Sequence, residues 1–215
     1  MDRPADHDRR AAAALLRPGV LEGTSILVGW LASQRAGESG APAARNVLDD
    51  CAALGARVHD CGLGGLPDSA EELASDAALT AACEQLSSPA SLVLDGATFF
   101  AGAGAGRAGL GACLELAWAY TRIVVAGALL PRGLGGRVIY LAPAPRVGPS
   151  ADAARAGLEN LARTLSIEWA RHAVTTVAVA PGESTSAGEL ATLAAYLASP
   201  AGAYFSGCLL DLRGK

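Results

Sequence analysis

Four short apolar runs, each bounded by glycine, serine or proline, most constrain what this chain can fold into: SILVGW (25–30), ASLVLDG (90–96), GRVIYLA (136–142) and VTTVAVA (174–180). They are apolar at consecutive rather than alternate positions, so they read as strands covered on both faces, as in a parallel sheet. Helical stretches lie between them. PAARNVLDDCAALG (42–55) has Pro42 near its start and Gly55 past its end, the asymmetry that helix termini favour. Residues 69–86 predict a second helix, and 109–131 a long apolar one stopped by Pro131. Helices are also expected over 151–172 and 187–199, and further strands over ARVHDC (56–61) and SGCLLDLRG (206–214). Strand alternates with helix throughout, so the expected fold class is α/β, a Rossmann-like doubly wound parallel sheet. Residues 1–22 read as a polar and Ala-rich arm and 23–215 as one domain, without repeat or linker.

Composition narrows the function classes. A chain of 215 residues that is 51% hydrophobic and 18% charged can bury a full core. Its net charge of −4 lacks the basic footprint of a nucleic-acid binder. No apolar run is read as long enough for a membrane span, and the opening MDRPADHDRR is too charged for a signal peptide. The cysteines at 51, 61, 83, 113 and 208 form no C-x-x-C pair. They read as small buried apolar residues in a reducing, cytoplasmic setting, with no metal site.

The second half resembles a known family. GGRVIYLAP, RAGLENLARTLSIEWA, VTTVAVAPG and ELATLAAYLASPAGAYFSGCLLDLRG match, in order, the later strands and helices of short-chain dehydrogenases over about residues 109–214. That resemblance implies a hydride-transfer site in which a Tyr acts as acid/base, a Lys lowers its pKa, a Ser binds the substrate oxygen and an Asn holds a relay water. Read position by position, the Tyr is Ala151, the Lys is Arg155, the Ser is Pro143 and the Asn is Trp118. Alanine has no proton to give, and proline has neither hydroxyl nor N–H. Arginine remains cationic but binds as a planar fork.

The family's phosphate-binding glycines are also reduced. Gly29 stands near the first, Pro42, Ala43 and Ala44 replace the last, and Gly37 and Gly40 remain in the loop. Gly96 and Ala97 persist in the turn over the cofactor, and Pro181-Gly182 in the turn that touches nicotinamide. PGESTSAGEL runs straight into the next helix where active members insert a substrate lid, and one strand–helix unit of the first half is shortened or lost. The expected fold is therefore shortened in its first half and lid-free. No cofactor is expected, with NAD(P) as the minor alternative.

The remaining polar residues have plainer roles. Tyr140 reads as a core tyrosine, Ser150 as an N-cap, and Asp152 as a first-turn charge favoured by the helix dipole. His59 beside Asp60 reads as an exposed strand-end pair, His172 as a helix-terminal cation, and His7 as part of the arm. Glu183, Ser184 and Ser186 read as the start of a helix. Arg155 is expected to bind an anion or to pair with an acid at an interface. In the family the two long helices form a dimer interface, so Leu158, Leu161, Leu165 and Trp169 are the expected contact residues. The leading expectation is a non-catalytic subunit that assembles with an active homologous short-chain dehydrogenase, or with itself. A divergent NAD(P)-dependent reductase of carbonyl or acyl-thioester substrates, and a small-molecule binding or regulatory module, stay open.

Overall fold

The computed structural model describes residues 15–32 and 42–213. Six strands form one sheet: β1 (Ser25–Leu31), β2 (Arg57–Leu63), β3 (Ala90–Asp95), β4 (Gly136–Leu141), β5 (Val174–Ala180) and β6 (Cys208–Asp211). Their order is β2-β1-β3-β4-β5-β6, every pair parallel. β1 and β3 are buried at every residue and β4 at its last four, which is why they read as unbroken apolar runs. β2 is an edge strand and alternates in burial.

The helices are α1 (Ala43–Ala53), α2 (Ala70–Ala74), α3 (Ala77–Gln85), α4 (Gly96–Gly102), α5 (Arg107–Thr121), α6 (Ala151–Glu168) and α7 (Ala187–Ala198). They cover the sheet from both sides. Leu73, Leu79, Phe100, Leu116 and Leu158, from α2 to α6, pack with Leu92 and Tyr140 on one face. Val47 and Leu48 of α1 and Leu190 and Ala194 of α7 pack with Ile26 and Ile139 on the other. Ser69 and Asp76 cap α2 and α3 separately, dividing the single helix expected over 69–86. No strand forms between Leu63 and Ala90, so β2 is left at the edge of the sheet and the first half is one strand short of a longer doubly wound sheet.

Three expectations need correction. The arm does not end at residue 22: Leu21 is fully buried in the α1/α7 core, its N–H donates to the Leu54 carbonyl at 3.1 Å, and the domain begins before it. The helix α5 continues as wider π turns over Arg122–Leu129, and the 23 residues of Arg107–Leu129 are long and apolar enough to span a membrane. More than half of that span is buried inside the fold, so packing between sheet and neighbouring helices accounts for its apolar character. Finally, Ser150 stands at the N-cap of α6, but its side chain makes no capping bond.

Candidate functional site

Doubly wound sheets bind ligands beyond the carboxyl ends of their strands, where the strand order reverses. Here β1 lies between β2 and β3, and the crevice beyond their ends opens into a cavity of about 560 Å³. The ends of β1, β3, β4 and β5 and the starts of α1, α4 and α7 line it, including Trp30, Leu31, Asp95, Thr98, Leu141 and Pro181.

Asp95 ends β3 and is 1% exposed. One carboxyl oxygen accepts from the Ala44 N–H at the start of α1 (3.1 Å), the other from the Thr98 N–H in the first turn of α4 (3.3 Å). The Ala97 N–H adds a third bond. Burial raises its pKa, against these three N–H bonds, which favour the carboxylate. The start of α1, where a doubly wound nucleotide-binding fold offers N–H groups to a pyrophosphate, thus already donates to a carboxyl group of the chain itself.

Asp60, the middle residue of β2, is engaged in the same way. Trp30 donates its indole Nε1–H to Oδ1 at 2.7 Å, Gly62 donates its N–H to Oδ1 at 3.0 Å, and Arg45 donates to Oδ2 at 3.2 Å. The Arg45 guanidinium also lies 4.4 Å above the Trp30 ring, within cation–π range. An acid at the end of this strand in a dinucleotide-binding fold takes a ribose hydroxyl, whereas Asp60 lies three residues before that end. Both oxygens of Asp60 are taken by the chain's own groups. The expected His59–Asp60 pair is not formed: His59 is half-buried, with Nε2 free of partners, and its burial lowers its pKa.

The positions singled out by the resemblance divide cleanly. Ala151 is 2% exposed and packed in the core, so it leaves no room for a phenol. Pro143 is buried, and its carbonyl accepts from Arg155 Nη1 at 2.9 Å. The same nitrogen donates to the Pro181 carbonyl at 2.9 Å, while Nη2 lies 3.7 Å from Asp211. Arg155 therefore ties the ends of β4, β5 and β6 together and does not line the cavity. The expectation that it anchors a free anion is replaced by an intramolecular clamp. Trp118 is 41% exposed on the outer side of α5. The inward side there carries Cys113, Ala117 and Thr121, so the count to the Asn position lands on the wrong face and the facing residues still supply no amide.

The retained glycines are packing residues. A Cβ at Gly29 would lie 2.7 Å from Leu94 Cδ2, at Gly96 2.9 Å from the Leu141 carbonyl, and at Gly182 2.8 Å from the Leu212 carbonyl. Of the retained Pro181-Gly182 pair, only Pro181 lines the cavity. Gly37, Gly40 and His7 lie outside the described residues. The described part of the phosphate site is less open to a pyrophosphate, because the Ala44 N–H at the start of α1 is already engaged by Asp95.

The interface expectation also needs correction. Leu158, Leu165 and Trp169 are 0%, 2% and 5% exposed, packed beneath α6 in the chain's own core, and Leu161 is half-buried. The outer side of α6 is instead Ala153, Ala156, Asn160, Thr164 and Ile167, at three- and four-residue spacing. On α5 the corresponding side is Ala108, Gly111, Glu115, Trp118 and Arg122. The two helices approach closely because Gly157 replaces a side chain that would meet Leu114 at 2.7 Å. Between Pro181 and Ser186 a short turn leads into α7, where Ser186 and Glu189 form a reciprocal capping box, so no lid helix intervenes.

No family model matches the sequence, and no curated protein matches it. Solved structures do resemble the fold. A hydroxysteroid dehydrogenase from Escherichia coli superposes with a TM-score of 0.69 at 16% identity, over 92% of this chain and 98% of that one. A citronellol catabolism dehydrogenase (AtuB) of Pseudomonas aeruginosa PAO1 superposes with a TM-score of 0.64 at 22% identity, over 93% and 97%. At these identities the likeness speaks for architecture alone, and the chain shares the α/β fold of these two dehydrogenases over nearly its whole length.

Proposed function

We propose that this chain is a non-catalytic short-chain dehydrogenase-like subunit, one that assembles with an active NAD(P)-dependent dehydrogenase or reductase subunit and stabilises or completes it. The observation that carries this reading is the self-paired cleft: Asp95, Asp60 and Arg155 all bind groups of their own chain. A catalytic site needs a titratable group within reach of the reacting atoms. Among the lining residues, Asp95 carries three backbone N–H bonds and is no free base. Tyr140 is fully buried and bonded to Thr121, and burial raises its pKa further.

The outer sides of α5 and α6 support the assembly half of the reading. Ala108, Gly111, Ala153 and Ala156 leave room there for another helix pair, while Trp118 at 41% exposure, between Glu115 and Arg122, and Ile167 at 81% supply apolar anchors. An exposed tryptophan such as Trp118 is among the side-chain types that dominate protein interfaces. A cytoplasmic homologue of the same fold would present the same pair of helices.

Co-expression with an intact short-chain dehydrogenase from the same genome tests the proposal. Light scattering is expected to give a mixed oligomer, and calorimetry NADH binding by the partner subunit only. A lone homodimer of this chain that bound NADH at micromolar affinity would sink it.

A further inference from the structure

At the end of the sheet opposite the crevice, the second residues of four neighbouring strands stand in register: Ile26 of β1, Ser91 of β3, Arg137 of β4 and Thr175 of β5. Side chains in register on adjacent strands share a face, and Ile26 places this row on the side of α1 and α7. We infer that Ser91 and Arg137 together bind a small monovalent anion the size of chloride. This goes beyond the assembly reading and does not depend on it.

Ser91 is 2% exposed, and its hydroxyl has no hydrogen-bond partner among the described residues. Arg137 is half-buried. Its Nη1 donates to the Ala198 carbonyl at the end of α7 at 3.3 Å, while its Nε is buried and also without a partner among those residues. Buried polar groups are rarely left unbonded in folded proteins. Adjacent strands lie only ~4.8 Å apart, so a single acceptor between these two side chains can serve both donors.

Charge decides what that acceptor is. None of the ion pairs among the described residues includes Arg137. Burial lowers its pKa, and no neighbouring acid offsets the shift. The Ala198 carbonyl supplies only the partial negative charge of a helix terminus. A water would satisfy the two donors but leave the guanidinium without a counter-charge in a partly desolvated place. A monovalent anion satisfies the donors and balances the charge, and the depth of Ser91 keeps out bulky anions.

The probe is chloride, titrated into the full chain against gluconate at constant ionic strength and followed by thermal melting and by the chlorine NMR line width. Chloride is expected to broaden the line and to raise the melting temperature saturably by about 5 °C, as a ligand with a Kd on the order of 10 mM does at about 200 mM. Ser91→Ala, which removes one donor, is expected to weaken chloride binding at least ~5-fold. In gluconate alone the same variant is expected to melt no lower than the parent, because it deletes an unpaired buried hydroxyl. Arg137→Met is expected to abolish the chloride response; where that variant does not fold, Ser91→Ala carries the test. Equal melting in chloride and gluconate with an unchanged line width overturns the inference. So does a chloride response that either folded variant leaves at full strength, which would mean an adventitious ion only. A Ser91→Ala variant that melts well below the parent in gluconate overturns it too, since Ser91 would then be bonded within its own fold.

Discussion

The crevice at the strand ends and the outer face of α5 and α6 have treated their side chains in opposite ways. Around the strand ends, three charged groups of the described residues bind within the chain: Arg155 to two carbonyls and, at 3.7 Å, to Asp211, Asp95 to backbone N–H groups, and Asp60 to Trp30, Gly62 and Arg45. On the helix face, Trp118 and Ile167 stand in solvent. A reactive site keeps polar groups available for substrate, and an assembling surface keeps apolar groups available for a partner. On the reading proposed above, the contrast is that of a fold that gives up its chemistry by pairing its own charges while the sheet and helices around them stay in place.

The largest effect that can break the contrast lies at Arg155. If its guanidinium is the clamp between β4, β5 and β6, Arg155→Met strands the Pro143 and Pro181 carbonyls and leaves Asp211 without its buried partner. Removing one member of such a buried set costs about 3 kcal/mol or more. Urea unfolding is expected to show that loss in the midpoint. An Arg155→Met variant as stable as the parent would return the residue to a binding role.

Next in size is an attempted restoration. Ala151→Tyr with Arg155→Lys rebuilds the family's catalytic pair on paper, yet Ala151 is buried in the core. Overpacking a closed site costs roughly 1–3 kcal/mol, added to the loss of the Arg155 clamp. The expected outcome is a less stable protein that oxidises no NADH with a ketone panel. Measurable turnover would show that the crevice is closer to catalysis than its pairing indicates.

Trp118→Asp sharpens the other side of the comparison. A surface substitution leaves stability within about 0.5 kcal/mol, whereas loss of an aromatic anchor weakens an interface by about 2 kcal/mol, roughly 30-fold in Kd. Light scattering of the mixed oligomer is expected to show dissociation at an unchanged melting temperature. An intact oligomer would move the interface to another face.

How these regions arise was unevenly legible in the sequence. The six strands, the short first half and the lid-free turn at Pro181–Ser186 follow from local patterns of apolar runs and caps. The pairing in the crevice does not: Arg155 meets carbonyls 12 and 26 residues away, and backbone oxygens leave no mark in a sequence. Asp95 did leave a signal. An aspartate closing the apolar run SLVLD, three residues before Thr98, is an N-cap pattern for the helix α4 that the sequence reading missed. The interface was misassigned because apolar residues on a helix do not say which stripe meets its own sheet. Ala151, Ala154, Leu158, Ala162 and Leu165 recur at three- and four-residue intervals as one core-facing stripe, and Ile167 lies off it.

The smallest expected effect concerns acid. Asp211 accepts from the Arg213 side chain and N–H and lies near Arg155, which together lower its pKa to about 2. In the unfolded chain an aspartate titrates near ~3.9. The folded pKa is depressed, so the stability it contributes is fully present above about pH 4 and is lost as the pH falls toward 2. Asp211 is one-third exposed, so solvent screening keeps this contribution small. Asp211→Asn removes the titrating group, and its stability relative to the parent should be lowest at neutral pH and approach the parent's as the pH falls below 4. A stability difference that stayed constant from pH 7 to pH 2 would mean that Asp211 is held by shape rather than charge, and the clamp at the strand ends would then rest on the carbonyls of Pro143 and Pro181 alone.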